Sequence, residues 1–170
     1  MKFSILFSLI FCVFSCQTAI VNDDKDEKKA LKRYDRPDAS ILRGVEIPEG
    51  ASFFFSSGLV APVLDESVEV NTGERYGDTY MQSVGILNRI KELLTDADLS
   101  MSDVVYLRVY LVPDKANNNE VDWSGWFKAY SEFFDNPKNP TKVARTTIAI
   151  HSLANPDLLI EVEAVAVYPE

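Results

Sequence analysis

Past position 16 the chain has no cysteine. Both of its cysteines, Cys12 and Cys16, fall in the first sixteen residues, so the body has no thiol for a disulfide, a thiolate nucleophile or a Cys-based metal site. Histidine is nearly as scarce. The single one, His151, has no partner at triad spacing, and no His/Asp cluster shows metal-ligand spacing. A lone histidine at a strand end reads as a surface or hydrogen-bonded residue rather than a catalyst. Gly58, Gly73 and Gly77 are not spaced as a phosphate cradle. Positive charge is in deficit, with 17 Lys and Arg against 26 Asp and Glu for a net charge of −9, and such a chain repels a polyanion; nucleic acid is not an expected partner.

What the first residues do hold is Lys2 followed by an apolar run, Phe3 to Phe14, too short to span a bilayer but suited to the core of a signal peptide. The run ends in Val13-Phe14-Ser15-Cys16, which resembles a bacterial lipobox, with Cys16 as the lipidated new N-terminus. Phe14 is bulkier than that motif usually has, and an ordinary secretory signal cut a few residues later is the alternative. Residues 1–15 are therefore read as a signal peptide, and the expected location is the bacterial envelope, either periplasmic or held to a membrane only through a lipid anchor. Residues 16–37 are dense in charge and poor in large apolar side chains, the composition of a flexible tether. The span 38–170 is long enough to bury one core and shows no internal repeat.

Within that span, Ser40 to Ile47 and Ser52 to Leu59 read as strands joined as a hairpin by the turn Pro48-Glu49-Gly50. From Asp78 to Leu94, Met81, Val84, Leu87, Ile90 and Leu94 recur at helical spacing. Asp103 to Val112 alternates Val105, Leu107, Val109 and Leu111 with Val104, Tyr106, Arg108 and Tyr110. A long polar loop leads to a second helix, Trp123 to Phe134, whose aromatic stripe of Trp126, Phe127, Tyr130, Phe133 and Phe134 reads as core. Two strands close the chain, Lys142 to Ile150 and Leu158 to Tyr168. The order ββαβ then αββ is an α+β layout with both helices on one sheet face. The opposite face is expected to carry Arg108, Arg145, Glu161 and Glu163. Half apolar and uncovered, it calls for self-association.

Arg145 stands in the middle of a strand of small and β-branched residues, TKVARTTIAI. A guanidinium is a fixed, forked donor, able to hold a carboxylate by two parallel hydrogen bonds where lysine offers only a point charge. The structural alternative is an ion pair with Glu161 or Glu163. Glu161 has the chemistry of a general base that orients water, with charge balance as its plainer role.

The segments ASFFFSSGLVAP, YGDTYMQSVGILNRIKELLTDADLSMSDVVYLRVYLV, FKAYSEFF, PTKVARTTIAI and LLIEVEAVAVYP, in that order, resemble the reactive-intermediate deaminase family, also called Rid or YjgF-like. The similarity runs from about Ile41 to Pro169. It implies a chorismate-mutase-like sheet with two helices on one face, assembled as a homotrimeric barrel with ligand clefts between subunits. Deaminating members hydrolyse enamines and imines to 2-keto acids and ammonia without a metal or organic cofactor. By resemblance, Arg145 grips the substrate carboxylate, Glu161 positions the attacking water, and Ser57 and Gly58 line the cleft.

Several positions depart from that pattern. Ile41 stands where deaminating members have tyrosine, Thr147 where many have cysteine, Phe127 where asparagine is expected and Leu59 where glutamine often follows the serine-glycine pair. The polar groups around the reacting nitrogen are reduced, which implies a divergent member with a bulkier or more apolar substrate than 2-aminoacrylate. The expectation is a hydrolytic deaminase of 2-imino acids; the competing one is a non-catalytic trimer that captures a carboxylate ligand such as a keto acid.

Overall fold

The structure is a computed structural model that describes residues 30–70 and 72–169. The leader, Cys16 and the tether as far as residue 29 lie outside the described residues. Among the described residues, seven strands and two α-helices follow in chain order: β1 Lys32–Tyr34, β2 Gly44–Glu46, β3 Phe53–Phe55, β4 Leu59–Val60, α1 Thr79–Asp96, β5 Val104–Leu111, α2 Trp123–Phe133, β6 Ala144–Ala149 and β7 Ile160–Val167. The main sheet has the order β3-β7-β5-β6, with β4 also paired to β7. Only β5 and β6 run parallel, because the connection between them is the crossover that carries α2.

Helix α1 begins where the Asp78 carboxylate accepts from the Met81 amide, and it ends where Asp98 turns left-handed at φ 56°. Its buried face is Gln82, Ser83, Ile86, Leu87, Ile90 and Leu94, while Met81 stays outside. The apolar spacing thus located the helix but not every contact. Trp126 and Tyr130 of α2 and Phe134 just after it complete the helix layer over Leu107, Val109, Leu111, Ile160, Val162, Ala164 and Ala166 of the sheet. A bulge between Val104 and Tyr106 puts Val104 into this core in place of the expected Val105.

The expected hairpin between the first two strands does not form. β3 pairs with β7, whereas β2 pairs with β1, a segment whose composition reads as tether. What fixes β1 is Arg33: its Nη1 donates to the carbonyls of Val104 (3.0 Å) and Lys142 (2.9 Å), and its Nη2 to that of Ser102 (2.9 Å). Charge density suggested solvation, but three carbonyls at the end of the main sheet satisfy the guanidinium instead.

Candidate functional site

Register decides where each candidate side chain points. In the antiparallel pair β5–β7, Arg108 lies opposite Glu163 and Tyr110 opposite Glu161, so these four share the face turned away from the helices. Arg108 Nη1 donates to Glu163 at 2.6 Å. In the parallel pair β5–β6, Arg145 lies beside Leu107 and Thr147 beside Val109, which are core residues. The expectation that Arg145 shares a face with Arg108 and the glutamates is therefore wrong: it points to the helix side. The alternation within each strand was legible, but the phase between parallel neighbours is not, since it depends on where a crossover returns.

Arg145 is seated on aromatic rings. Its guanidinium carbon is 4.3 Å from the centre of the Tyr130 ring, 5.1 Å from Phe127 and 5.5 Å from Trp126. Cation–π attraction holds such a group against the wall of rings and leaves N–H donors to bond elsewhere. Among the described residues no carboxylate takes them. Nη1 is buried without a hydrogen-bond partner, as are Thr147 Oγ1 and Trp126 Nε1. Burial lowers the Arg145 pKa, with the opposing influence of Tyr130 smaller, from a starting point so high that the group stays a cation at neutral pH. Ile41 enters at this edge of the sheet, where the Leu42 amide donates to the carbonyl of Val143 (3.0 Å). Tyr130, which sequence reading placed simply in the core, is the ring that seats the guanidinium.

Glu161 forms the second half of the constellation. It is half-buried on the open face and makes no ion pair or hydrogen bond among the described residues. Above it the chain breaks between β3 and β4, where Ser56 replaces the ladder: its hydroxyl accepts from the Ala164 amide (2.8 Å) and donates to the Ser57 carbonyl (2.8 Å). Ser57 and Gly58 are thereby left exposed over the glutamate. A Cβ on Gly58 would overlap Glu161 Oε1 and come within 2.7 Å of its Cδ, so glycine lets the carboxylate lie where it does. Ser56 is the positioning residue that sequence reading missed; the doubled serine before glycine was its signal.

Within one chain the two halves cannot meet. β5 separates Arg145 from Glu161, which puts their strands about 10 Å apart, and the side chains emerge on opposite faces. A cavity of about 1060 Å³ lies elsewhere, between the start of α1, the end of β5 and the loop before β7; His151 lines it, but neither Arg145 nor Glu161 does. Among the described residues no group of three or more His, Cys, Asp or Glu is placed to hold a metal.

The open sheet face is apolar at its edges. Phe53 and Phe55 of β3 are 45% and 69% exposed, and Ile148 of β6 is 43% exposed. With the Arg108–Glu163 pair at its centre, this face has the composition of an association surface.

Comparison with known proteins places residues 52–168 under the family model described as Endoribonuclease L-PSP. The chain is 34% identical over 117 residues to a RutC family protein of Pyrococcus abyssi, covering 68% of this chain and 78% of that protein. It is 32% identical over 121 residues to one of Pyrococcus horikoshii, with 69% and 81% covered. Among solved structures, the Rid family protein YyfB of Yersinia pestis is similar with a TM-score of 0.59 at 23% identity, covering 81% of this chain and 98% of that one. E. coli TdcF, crystallised with bound serine, is similar with a TM-score of 0.53 at 25% identity, covering 84% and 100%.

Proposed function

The chain belongs to the Endoribonuclease L-PSP family, also known as YjgF or Rid, and from that premise we propose that it hydrolyses 2-imino acids and their enamine tautomers in clefts formed between protomers. The observation that carries the reading is the Arg145 guanidinium, fixed on three rings with no anion against it among the described residues, while Arg108 on the next strand is already taken by Glu163. A free fork on a rigid seat suits a carboxylate from outside. TdcF supplies a parallel, since the serine bound to it carries such a carboxylate.

Because Arg145 and Glu161 diverge in one protomer, a partner must bring Ser57, Gly58 and Glu161 to the first protomer's Arg145. The association face is the surface suited to do so. Glu161 then takes a proton from water as the oxygen attacks the imine carbon, and the nitrogen is protonated as the tetrahedral carbinolamine forms. Collapse of that intermediate expels ammonia and leaves the keto acid, so one imine and one water become one keto acid and one ammonia. An enamine first gains a proton at its terminal carbon. Imines hydrolyse readily in water, and the protein's task is orientation and proton transfer.

Arg145→Ala should lower keto-acid release by at least about a hundredfold, measured on an imino acid generated in the assay by an amino-acid oxidase; unchanged turnover would remove the reading. Ile41, Thr147 and Phe127 leave the wall near Arg145 poor in polar groups, which favours the second reading, a trimer that binds keto acids without turning imines over. Calorimetric binding with no ammonia produced would select it. The ribonuclease activity in the family's name suits this chain poorly, since a net charge of −9 and a single histidine provide neither phosphate attraction nor an acid–base pair.

A further inference from the structure

Around the Arg145 seat the aromatic wall continues outward. Trp126 and Tyr130 are fully buried, but Phe127 and Trp123, one turn apart on α2, are 46% and 40% exposed. Their rings lie against each other, with centroids 6.5 Å apart and planes tilted by 31°. Phe127 is at once part of the guanidinium's seat, at 5.1 Å, and part of this exposed pair. The pair therefore forms a strip of apolar surface that starts at the cation and runs away from it.

A single exposed aromatic needs no explanation, but two in contact beside a half-buried cation with no ion-pair partner among the described residues form an amphipathic site. The inner end offers hydrogen-bond donors to an anion, and the outer end offers ring faces. A ligand matching both has a carboxylate at one end and a flat apolar group a few bonds away. A 2-imino acid with an aryl group on its third carbon has that layout: once its carboxylate is on Arg145, the chain of two carbons carries the ring along the strip. A methyl or methylene in the same place reaches none of it.

We infer that Phe127 and Trp123 form a side-chain subsite that selects aromatic 2-imino acids over small aliphatic ones. The inference rests on the carboxylate-gripping role of Arg145 given above and adds the substrate class. Phe127 is the pivotal residue, because it both steadies the guanidinium and begins the strip. Trp123 acts only on the distant ring of the ligand.

The test compares the purified chain on imino acids made in the assay from phenylalanine and from alanine by an L-amino-acid oxidase, with catalase present. The phenylalanine-derived substrate should have the higher kcat/KM, by about tenfold. Trp123→Ser should move that ratio toward one, mainly through a higher KM on the aromatic substrate; Phe127→Ser, which also removes a ring of the guanidinium's seat, should lower both activities and the aromatic one more, while Phe127→Tyr keeps the preference. A wild-type preference for the alanine-derived substrate, or a Trp123→Ser variant that loses both activities in parallel, overturns the inference. If neither substrate is turned over, the deaminase reading falls, and calorimetric titration with phenylpyruvate and pyruvate decides this one separately. Tighter phenylpyruvate binding that weakens in Trp123→Ser sustains the subsite; equal affinities end it.

Discussion

At the scale of single residues, the pairing of Gly58 with Glu161 is the most exacting contact in the candidate site. An alanine there meets the glutamate's carboxylate, not a rigid backbone, so the strain is relieved by swinging Glu161 aside. Gly58→Ala should therefore leave the melting temperature nearly unchanged and lower kcat by about a hundredfold, the cost of misplacing a reacting group by an ångström. A variant with normal kcat would show that the position of Glu161 has no bearing on the chemistry. Arg145 illustrates what a sequence tells about one residue and what it withholds. Its type and its strand were legible, and so was the need for a partner. That the partner is a set of rings was not, since Trp126, Phe127 and Tyr130 come from a helix whose docking no spacing within the strand determines.

Among the elements, α2 joins stability to function. Tyr130 donates its hydroxyl to the Ser40 carbonyl (2.9 Å), stacks on Phe134 with centroids 5.1 Å apart, and carries the guanidinium on its face. Burial raises its pKa, and the nearby charge of Arg145 only partly offsets that. Because the folded value lies above the unfolded one, the phenol's stabilising contribution is complete below the ordinary tyrosine range near 10 and is lost as pH rises through the folded value. Tyr130→Phe should be less stable by about 1 kcal/mol at neutral pH, for one hydrogen bond removed. In denaturant titrations above about pH 10 that difference should narrow and then reverse; a constant difference would mean that the ring alone matters. The five long elements lie within about two residues of where periodicity put them. The short ones did not follow it, because β1, β2, β3 and β4 are two or three residues each and take their partners from tertiary contacts such as those of Arg33 and Ser56.

For the whole molecule, the decisive fact is that one chain presents Arg145 and Glu161, the two halves of the candidate site, on opposite faces of its sheet. Arg145→Ala and Glu161→Gln chains, each inactive alone, should regain activity when co-refolded as mixed oligomers. Random mixing pairs an intact Arg145 with an intact Glu161 in about a quarter of the clefts, so about a quarter of wild-type turnover is expected. No recovery, with mixed oligomers verified by mass, would place both groups in one protomer's site. By itself the sequence determined the helix and strand periods, the apolar surplus on the uncovered face, and the residue types able to hold an acid and move a proton, since these follow from side-chain chemistry and spacing along one chain. Only the tertiary structure decided which face each strand shows. That choice depends on how a crossover connection returns to the sheet, and it turned Arg145 away from the glutamates and left its fork open.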